Sequence, residues 1–114
     1  YNMLREKGIS KEIAYLECWL EVKLIADAMV KVGPEEFFKL ISPNALIGGE
    51  KGRKVLFDKV YQKNLKSLLN DIWDGQFFAE IDAADPEHLR RSVLHFWRDE
   101  ELTQTHKELA PKLL

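Results

Sequence analysis

Two glutamates, Glu17 and Glu21, lie four residues apart within the first long apolar stretch of the chain. On an α-helix this spacing places one carboxylate above the other, and such like charges repel by about 0.2–0.5 kcal/mol. At about 100° of rotation per residue, the pair projects among apolar side chains rather than onto the wetter face that carries Lys23 and Asp27. An ion without a partner is disfavoured in such surroundings, so the pattern predicts that something compensates both charges.

Two kinds of partner fit these carboxylates. Mg²⁺ prefers hard oxygen ligands and is often held by one or two carboxylates together with water and substrate oxygens. Alternatively, both glutamates meet a lysine or arginine of a neighbouring helix, or face water, as exposed charges on helices commonly do. The spacing by itself favours this second interpretation and leaves the metal site as the alternative that would carry chemistry.

Ser42 follows an apolar helical segment and directly precedes Pro43. A hydroxyl there can hydrogen-bond a substrate, but capping or turn formation is the more usual role, and composition favours the cap. The following residues, as far as Gly52, contain three glycines at a spacing that matches no phosphate-binding or dinucleotide fingerprint. We therefore expect residues 42–52 to form a flexible loop.

The remaining reactive side chains do not form a recognisable site. His88, His95 and His106 lie at no standard metal-ligand spacing, and His106 is expected to be exposed among polar neighbours. Cys18 is the single cysteine, so the chain has no internal disulfide and fits a reducing compartment. Its apolar neighbours predict a buried thiol that packs as a small hydrophobic group.

The hydrophobic pattern is helical nearly throughout. No segment shows sustained period-two alternation, which predicts an all-α fold. Ser10 is a candidate N-cap, and Gly33 followed by Pro34 is predicted to end the first long helix. The expected helical segments are residues 13–32, 34–41, 54–73, a short one near 77–81, 86–97 and 101–109.

Composition and charge exclude some classes of function. The 114 residues are 46% hydrophobic and carry a formal net charge of −2, with basic and acidic side chains interleaved, so no basic footprint for nucleic acid is present. The chain contains no run of about 18 apolar residues, so we expect neither a membrane span nor a membrane partner. Tyr1 begins the sequence inside a helical pattern that Gly8 ends, so we expect the chain to be part of a longer protein.

The run from Glu12 to Asp27 resembles a helix of the ketol-acid (acetohydroxy acid) reductoisomerases, which reads E-I-A-Y-F-E-x-x-H-E-x-K-L-I-x-D in that family. Further on, Asp71-Ile-Trp-Asp-Gly-Gln-Phe77 is similar to the family's D-I-Q-D-G-x-F, and Leu89-Arg-Arg91 to its A-L-R-R. The resemblance spans almost the whole chain. It implies a helical bundle like the knotted C-terminal domain of 6-phosphogluconate dehydrogenase. Residues 1–114 would form this catalytic domain, with an N-terminal Rossmann domain and the first helices outside the chain.

The resemblance also implies roles for individual residues. In that family the residues matching Glu17 and Glu21 bind the second of two Mg²⁺ ions, and Glu21 is placed where it can also manage a proton as a catalytic residue. The residue matching Ser42 hydrogen-bonds the substrate, with Ile41 and Ala45 beside it. The remaining ligands of the two-ion site and the residues that bind NADPH fall upstream of this chain, so no cofactor-binding residue is expected within it.

The activity implied for the complete enzyme belongs to branched-chain amino-acid biosynthesis. A Mg²⁺-dependent alkyl migration on a small-molecule 2-acetohydroxy acid is followed by NADPH reduction of the 2-keto intermediate. The resemblance implies a homodimer of intertwined helical domains, each completing the active site of its partner. It further implies a location in the cytoplasm of a bacterium or archaeon, or in a plastid if the source is a plant. The chain alone is expected to be inactive.

The chain departs from the family pattern just before the second glutamate and again after Ser42. The substituted positions are Trp19, Leu20, Pro43, Asn44, Leu46 and Ile47. A second hypothesis is therefore a diverged homologue that keeps the helical fold as a dimerisation or binding module without reductoisomerase activity. Retention of Glu17, Glu21 and Ser42 favours the enzyme.

Overall fold

The structure, a computed structural model, describes all residues from 1 to 114 and contains helices without any strand, which confirms the all-α prediction. No helix is both long and apolar enough to cross a lipid bilayer. The elements in chain order are α1 (Asn2–Glu6), α2 (Lys11–Tyr15), a π-turn (Leu16–Leu20), α3 (Glu21–Leu40), α4 (Pro43–Leu56), α5 (Lys59–Trp73), α6 (Gln76–Ala83), α7 (Pro86–Asp99) and α8 (Glu101–Leu113).

Local capping determines where the first two helices end and begin. Gly8 has a φ of 87°, a left-handed conformation that glycine adopts without steric cost, and its amide donates to the Arg5 carbonyl at 2.9 Å. The Ser10 hydroxyl oxygen then accepts a hydrogen bond from the Ile13 amide at 3.3 Å. The predicted glycine stop and the predicted N-cap are both confirmed.

A break at Gly33 divides α3 into two helical segments. Gly33 has a φ of 79° and a ψ of 171°, which no α-helix contains. Pro34 follows and suits the first turn of the second segment, because the amide hydrogen it lacks has no partner in a first turn. The prediction that this pair ends the first long helix is confirmed.

The predicted flexible loop over residues 42–52 is wrong, because these residues form most of α4. The Ser42 hydroxyl oxygen accepts a hydrogen bond from the Ala45 amide at 3.1 Å, and Pro43 occupies the first turn. The helix forms despite the glycines at positions 48, 49 and 52, each of which disfavours a helix by about 1 kcal/mol relative to alanine, and the Ser42 cap offsets part of that cost.

Two other predicted boundaries also change. The expected helix over residues 54–73 is interrupted after Phe57, because the Asp58 carboxylate accepts a hydrogen bond from the Tyr61 amide at 2.9 Å and caps a new helix. α8 runs beyond its expected end and includes Pro111. A proline in the last turn of a helix removes a single hydrogen bond, so the helix tolerates it there.

The chain divides into two compact units, Tyr1–Phe37 with Pro86–Leu114, and Phe38–Asp85. In the first unit α8 packs against α2 and α7. The buried residues all belong to this unit and are Ala14, Tyr15, Thr105 and Leu109. In the second unit α5 contacts α6, but no residue is buried. Each unit therefore leaves most of its large apolar side chains exposed.

Candidate metal and substrate site

The π-turn lies between the two glutamates that the sequence singles out. The Glu21 amide donates to the carbonyl of Leu16, five residues earlier, in place of the four-residue bond of an α-helix. The turn contains Glu17 and ends where Glu21 begins α3. Single π-turns inside α-helices are rare and occur frequently at functional sites.

Glu17 and Glu21 both line one cavity of about 510 Å³ within the first unit. The other lining residues are Leu16, Leu20, Lys23, Leu24, Leu113 and Leu114. The cavity therefore combines two carboxylates with a mostly leucine wall. This composition fits a small polar molecule that also carries an alkyl group.

Neither glutamate makes a hydrogen bond or an ion pair with another residue. Glu17 is exposed and Glu21 is half-buried, so the water-facing alternative describes Glu17 better than Glu21. Lys23, which was expected on a separate wetter face, lines the same cavity, but its ammonium lies 2.6 Å from the Asp27 carboxylate. The assumption of about 100° per residue fails here because the π-turn contains one more residue than an α-helical turn.

The donor chemistry of the pair fits Mg²⁺. Carboxylate oxygens without protein partners, facing a cavity with room for water and substrate oxygens, are the ligands this ion prefers. No cluster of three or more His, Cys, Asp or Glu side chains able to hold a metal occurs in the chain. The chain itself therefore offers two carboxylates at this place and no third ligand.

An aromatic and imidazole cluster supports the helix that carries the glutamates. The Tyr15 side chain is fully buried, and its hydroxyl group lies 2.8 Å from Nδ1 of His106 on α8. The Trp19 ring meets the same imidazole edge-on, with the two ring centroids 6.2 Å apart. The prediction that His106 is exposed is confirmed, and its imidazole also contacts both of these residues.

Ion pairs hold α8 against the first two helices. The Arg5 guanidinium donates to Glu101 at 3.1 Å, and the Lys11 ammonium lies 2.6 Å from Glu108. These hydrogen bonds lower the pKa of the Glu101 carboxyl and the pKa of the Glu108 carboxyl. α8 is thereby anchored at several points along the segment that leads into the π-turn.

The residues expected to contact substrate lie in or beside the second unit's cavity. Ile41 and Ala45 line a cavity of about 200 Å³ together with Phe38, Leu46, Gly49, Glu50 and Arg53. Ser42 lies between them in sequence and caps α4, as composition indicates. Its oxygen accepts from the Ala45 amide, so the hydroxyl hydrogen remains available to donate to another group.

One ion pair lies on this second cavity. The Arg53 guanidinium donates to the Glu50 carboxylate at 2.8 Å and lowers the pKa of that carboxyl. Both side chains are about half exposed, at 56% and 51%. An exposed pair of this kind contributes little stability. Both of its charged groups line the cavity.

Sequence reasoning missed several residues of the first cavity. Leu113 and Leu114 line it, and His106 supports it, although they are distant in sequence from the glutamates. A signal was present, since Leu102, His106, Leu109 and Leu113 recur at the three- and four-residue intervals of one helical face. Cys18, which was expected to be buried, is half-buried.

The sequence matches the model of a known protein family. The family model for the ketol-acid reductoisomerase C-terminal domain matches residues 1–112 of the 114. The match covers the glutamate pair, the π-turn, Ser42 and nearly all of α8. The chain thus belongs to the ketol-acid reductoisomerase family and is the part of such an enzyme that corresponds to its all-α C-terminal domain.

Proposed function

We propose that this chain supplies the second metal-binding half-site and a substrate contact to a Mg²⁺-dependent enzyme that converts 2-acetohydroxy acids into 2,3-dihydroxy acids. The observation that supports the proposal is the pairing of Glu17 and Glu21 on one leucine-lined cavity, where neither carboxylate has a protein partner. Two carboxylates on a shared cavity are a ligand set that Mg²⁺ accepts together with water and substrate oxygens.

The reaction has two steps. In the first, the C2 hydroxyl of the substrate loses its proton, the alkyl group migrates with its bonding electrons from C2 to the C3 carbonyl carbon, and the C3 oxygen gains a proton. In the second, a hydride and a proton reduce the new C2 ketone. When bound, Mg²⁺ would act as a Lewis acid that polarises the substrate carbonyl.

The chain's own residues have separate parts in this scheme. Glu17 and Glu21 hold the cation, and Glu21 also accepts and returns the proton of the migrating step. Ser42 donates its hydroxyl hydrogen to a substrate oxygen, because the hydrogen bond from the Ala45 amide uses the hydroxyl oxygen and leaves that hydrogen free. Ile41 and Ala45 form the apolar surroundings of that contact.

NADPH is the proposed hydride donor, bound by a domain that this chain does not contain. The chain is all-α and has no glycine-rich dinucleotide fingerprint, so none of its residues is assigned to the cofactor. The reaction belongs to branched-chain amino-acid biosynthesis. The compartment we propose is the cytoplasm of a bacterium or archaeon, or the plastid of a plant.

A second copy of the chain is the proposed partner. The second unit has no buried residue, and α5 exposes an apolar stripe there. An intertwined homodimer would bury these faces and complete each active site.

The decisive experiment is Glu21→Gln in the full-length enzyme, with Glu12→Gln as the matched control. Glu12 is an exposed glutamate of α2 that does not line the cavity. We expect Glu21→Gln to slow conversion of 2-acetolactate by at least about 100-fold, because loss of a carboxylate ligand removes several kcal/mol of charge stabilisation. Circular dichroism should show both variants folded, and Glu12→Gln should match the parent.

Normal turnover of acetolactate by Glu21→Gln would show the assigned role to be wrong. The alternative, a diverged dimerisation or binding module, is favoured by the substitutions after Ser42. It would be supported by a full-length wild-type protein that dimerises but converts no 2-acetohydroxy acid. The isolated chain should show no turnover with NADPH and Mg²⁺.

A further inference from the structure

We propose that Tyr15 and His106 are positioning residues that fix the π-turn and thereby direct Glu17 and Glu21 into their shared cavity. The inference rests on the proposed metal role of the two glutamates and extends it to residues that touch neither metal nor substrate. Four observations carry it: the burial of Tyr15, its hydrogen bond, the ring contacts of His106 and the backbone of the turn.

Tyr15 is the residue immediately before the π-turn and the largest fully buried side chain of the chain. Its hydroxyl group bonds to His106 Nδ1 at 2.8 Å, so the hydroxyl is not available to any ligand. Because the Tyr15 side chain is fully buried, we infer that it influences the site by holding its own backbone in place. Its backbone continues directly into the turn that carries Glu17.

The His106 imidazole contacts both sides of Glu17 along the chain. Its centroid lies 5.9 Å from the Tyr15 ring and 6.2 Å from the Trp19 ring. Tyr15 precedes Glu17 by two residues, and Trp19 follows it by two. One side chain from α8 therefore fixes both ends of the segment that contains the first glutamate.

The turn needs such support because its hydrogen-bonding pattern is uncommon. A π-turn replaces the regular four-residue bond by the bond from the Glu21 amide to the Leu16 carbonyl. Isolated helices do not favour this arrangement, so contacts from outside the segment must select it. α8 provides them through His106, and the same helix places Leu113 on the cavity wall. The same helix, α8, therefore supports the π-turn and lines the cavity.

The test is Tyr15→Phe in the full-length enzyme, with Tyr1→Phe as the matched control. Both changes delete one tyrosine hydroxyl that bonds to α8, since the Tyr1 hydroxyl lies 3.0 Å from Thr105 Oγ1. Only Tyr15 adjoins the π-turn. Each variant retains its ring, so each should lose a similar small amount of thermal stability in EDTA.

The expected difference is in metal binding. Tyr15→Phe should raise the Mg²⁺ dissociation constant measured by titration calorimetry about tenfold, as loss of an outer-shell partner commonly does, while Tyr1→Phe should leave it unchanged. The rise in melting temperature caused by Mg²⁺ should shrink in Tyr15→Phe alone. kcat at saturating Mg²⁺ should fall less than the metal affinity.

His106 variants provide the second test. His106→Leu should reproduce the loss of Mg²⁺ affinity, and His106→Asn, which keeps a polar atom near the position of Nδ1, should restore most of it. The double variant Tyr15→Phe/His106→Leu should bind Mg²⁺ as His106→Leu does, because the two side chains form one interaction.

The outcomes separate this inference from the proposed function. In one outcome the wild-type enzyme binds Mg²⁺ and converts acetolactate, and Tyr15→Phe and Tyr1→Phe have the same Mg²⁺ dissociation constant. The positioning role is then wrong and the proposed function stands. Additive effects of Tyr15→Phe and His106→Leu would also overturn it. A wild-type enzyme that binds no Mg²⁺ would contradict both the positioning role and the proposed function.

Discussion

The Lys23 ammonium lies 2.6 Å from the Asp27 carboxylate one turn further along α3, although Lys23 also lines the cavity of the two glutamates. The basic side chain that lines the cavity of Glu17 and Glu21 is therefore engaged by a third acid. Both side chains of the pair are more than half exposed, at 69% and 63%. This pairing keeps the lysine from neutralising the glutamates and leaves them available to a divalent ion.

Asp27→Ala in the full-length enzyme should weaken Mg²⁺ binding. Release of Lys23 would place a competing cation beside the glutamates. An exposed ion pair of this kind contributes about 0.2–1 kcal/mol, so the Mg²⁺ concentration for half-maximal activity should rise about two- to fivefold. Glu87→Ala removes a similar exposed pair with Arg90 outside the cavity and is the control. An unchanged Mg²⁺ requirement in Asp27→Ala would contradict this account.

Substitutions of Ser42 should separate capping from substrate binding. Asparagine is as good an N-cap as serine but lacks the hydroxyl, so Ser42→Asn should retain stability and raise KM for acetolactate. Ser42→Ala should also lose about 1 kcal/mol of unfolding free energy, measured by urea denaturation. Asp58→Ala, which removes the cap of α5, should lower stability without changing KM. An unchanged KM in Ser42→Asn would restrict Ser42 to its capping role.

The attachment of α8 should weaken in acid. The pKa of Glu101 is lowered by its hydrogen bond from Arg5, and the pKa of Glu108 by its hydrogen bond from Lys11. A carboxyl whose pKa is lower in the folded state stabilises fully above its unfolded pKa of about 4.3 and loses that contribution as pH falls through the folded value.

The measurement is the urea midpoint between neutral pH and pH 3 for the wild type and for Glu101→Gln/Glu108→Gln. The double variant should be less stable at neutral pH and should lose less stability on acidification. Parallel pH curves for the two proteins would exclude this contribution of the ion pairs.

A charge on the apolar stripe of α5 should weaken the proposed dimer. Leu65 is 49% exposed in the single chain, and burying a leucine side chain contributes about 1.5–3 kcal/mol. Leu65→Asp should therefore raise the dimer dissociation constant at least about tenfold in sedimentation equilibrium. Ser67→Asp adds the same charge to the polar side of the helix and should leave assembly intact. Equal dissociation constants for the two variants would place the dimer contact elsewhere.

Features that depend on neighbours in sequence were predictable. The Ser10 cap, the break at Gly33 and the all-α class follow from side chains acting on backbone groups a few residues away. The capping role of Ser42 followed in the same way. The helix it starts was missed, because glycines at positions 48, 49 and 52 suggested a loop, whereas the structure keeps all three within α4.

The amino-acid sequence by itself determined which residues we propose for the chemistry, since the type and spacing of Glu17 and Glu21 require no fold to be noticed. Only the tertiary structure decided which cavity the two side chains line. The contact of His106 with Tyr15 and the position of Leu113 at the cavity join residues about ninety positions apart, as the separation of 91 between Tyr15 and His106 illustrates. Helical periodicity describes one helix at a time, and it cannot show which distant helix supplies the contacts that select a wider turn.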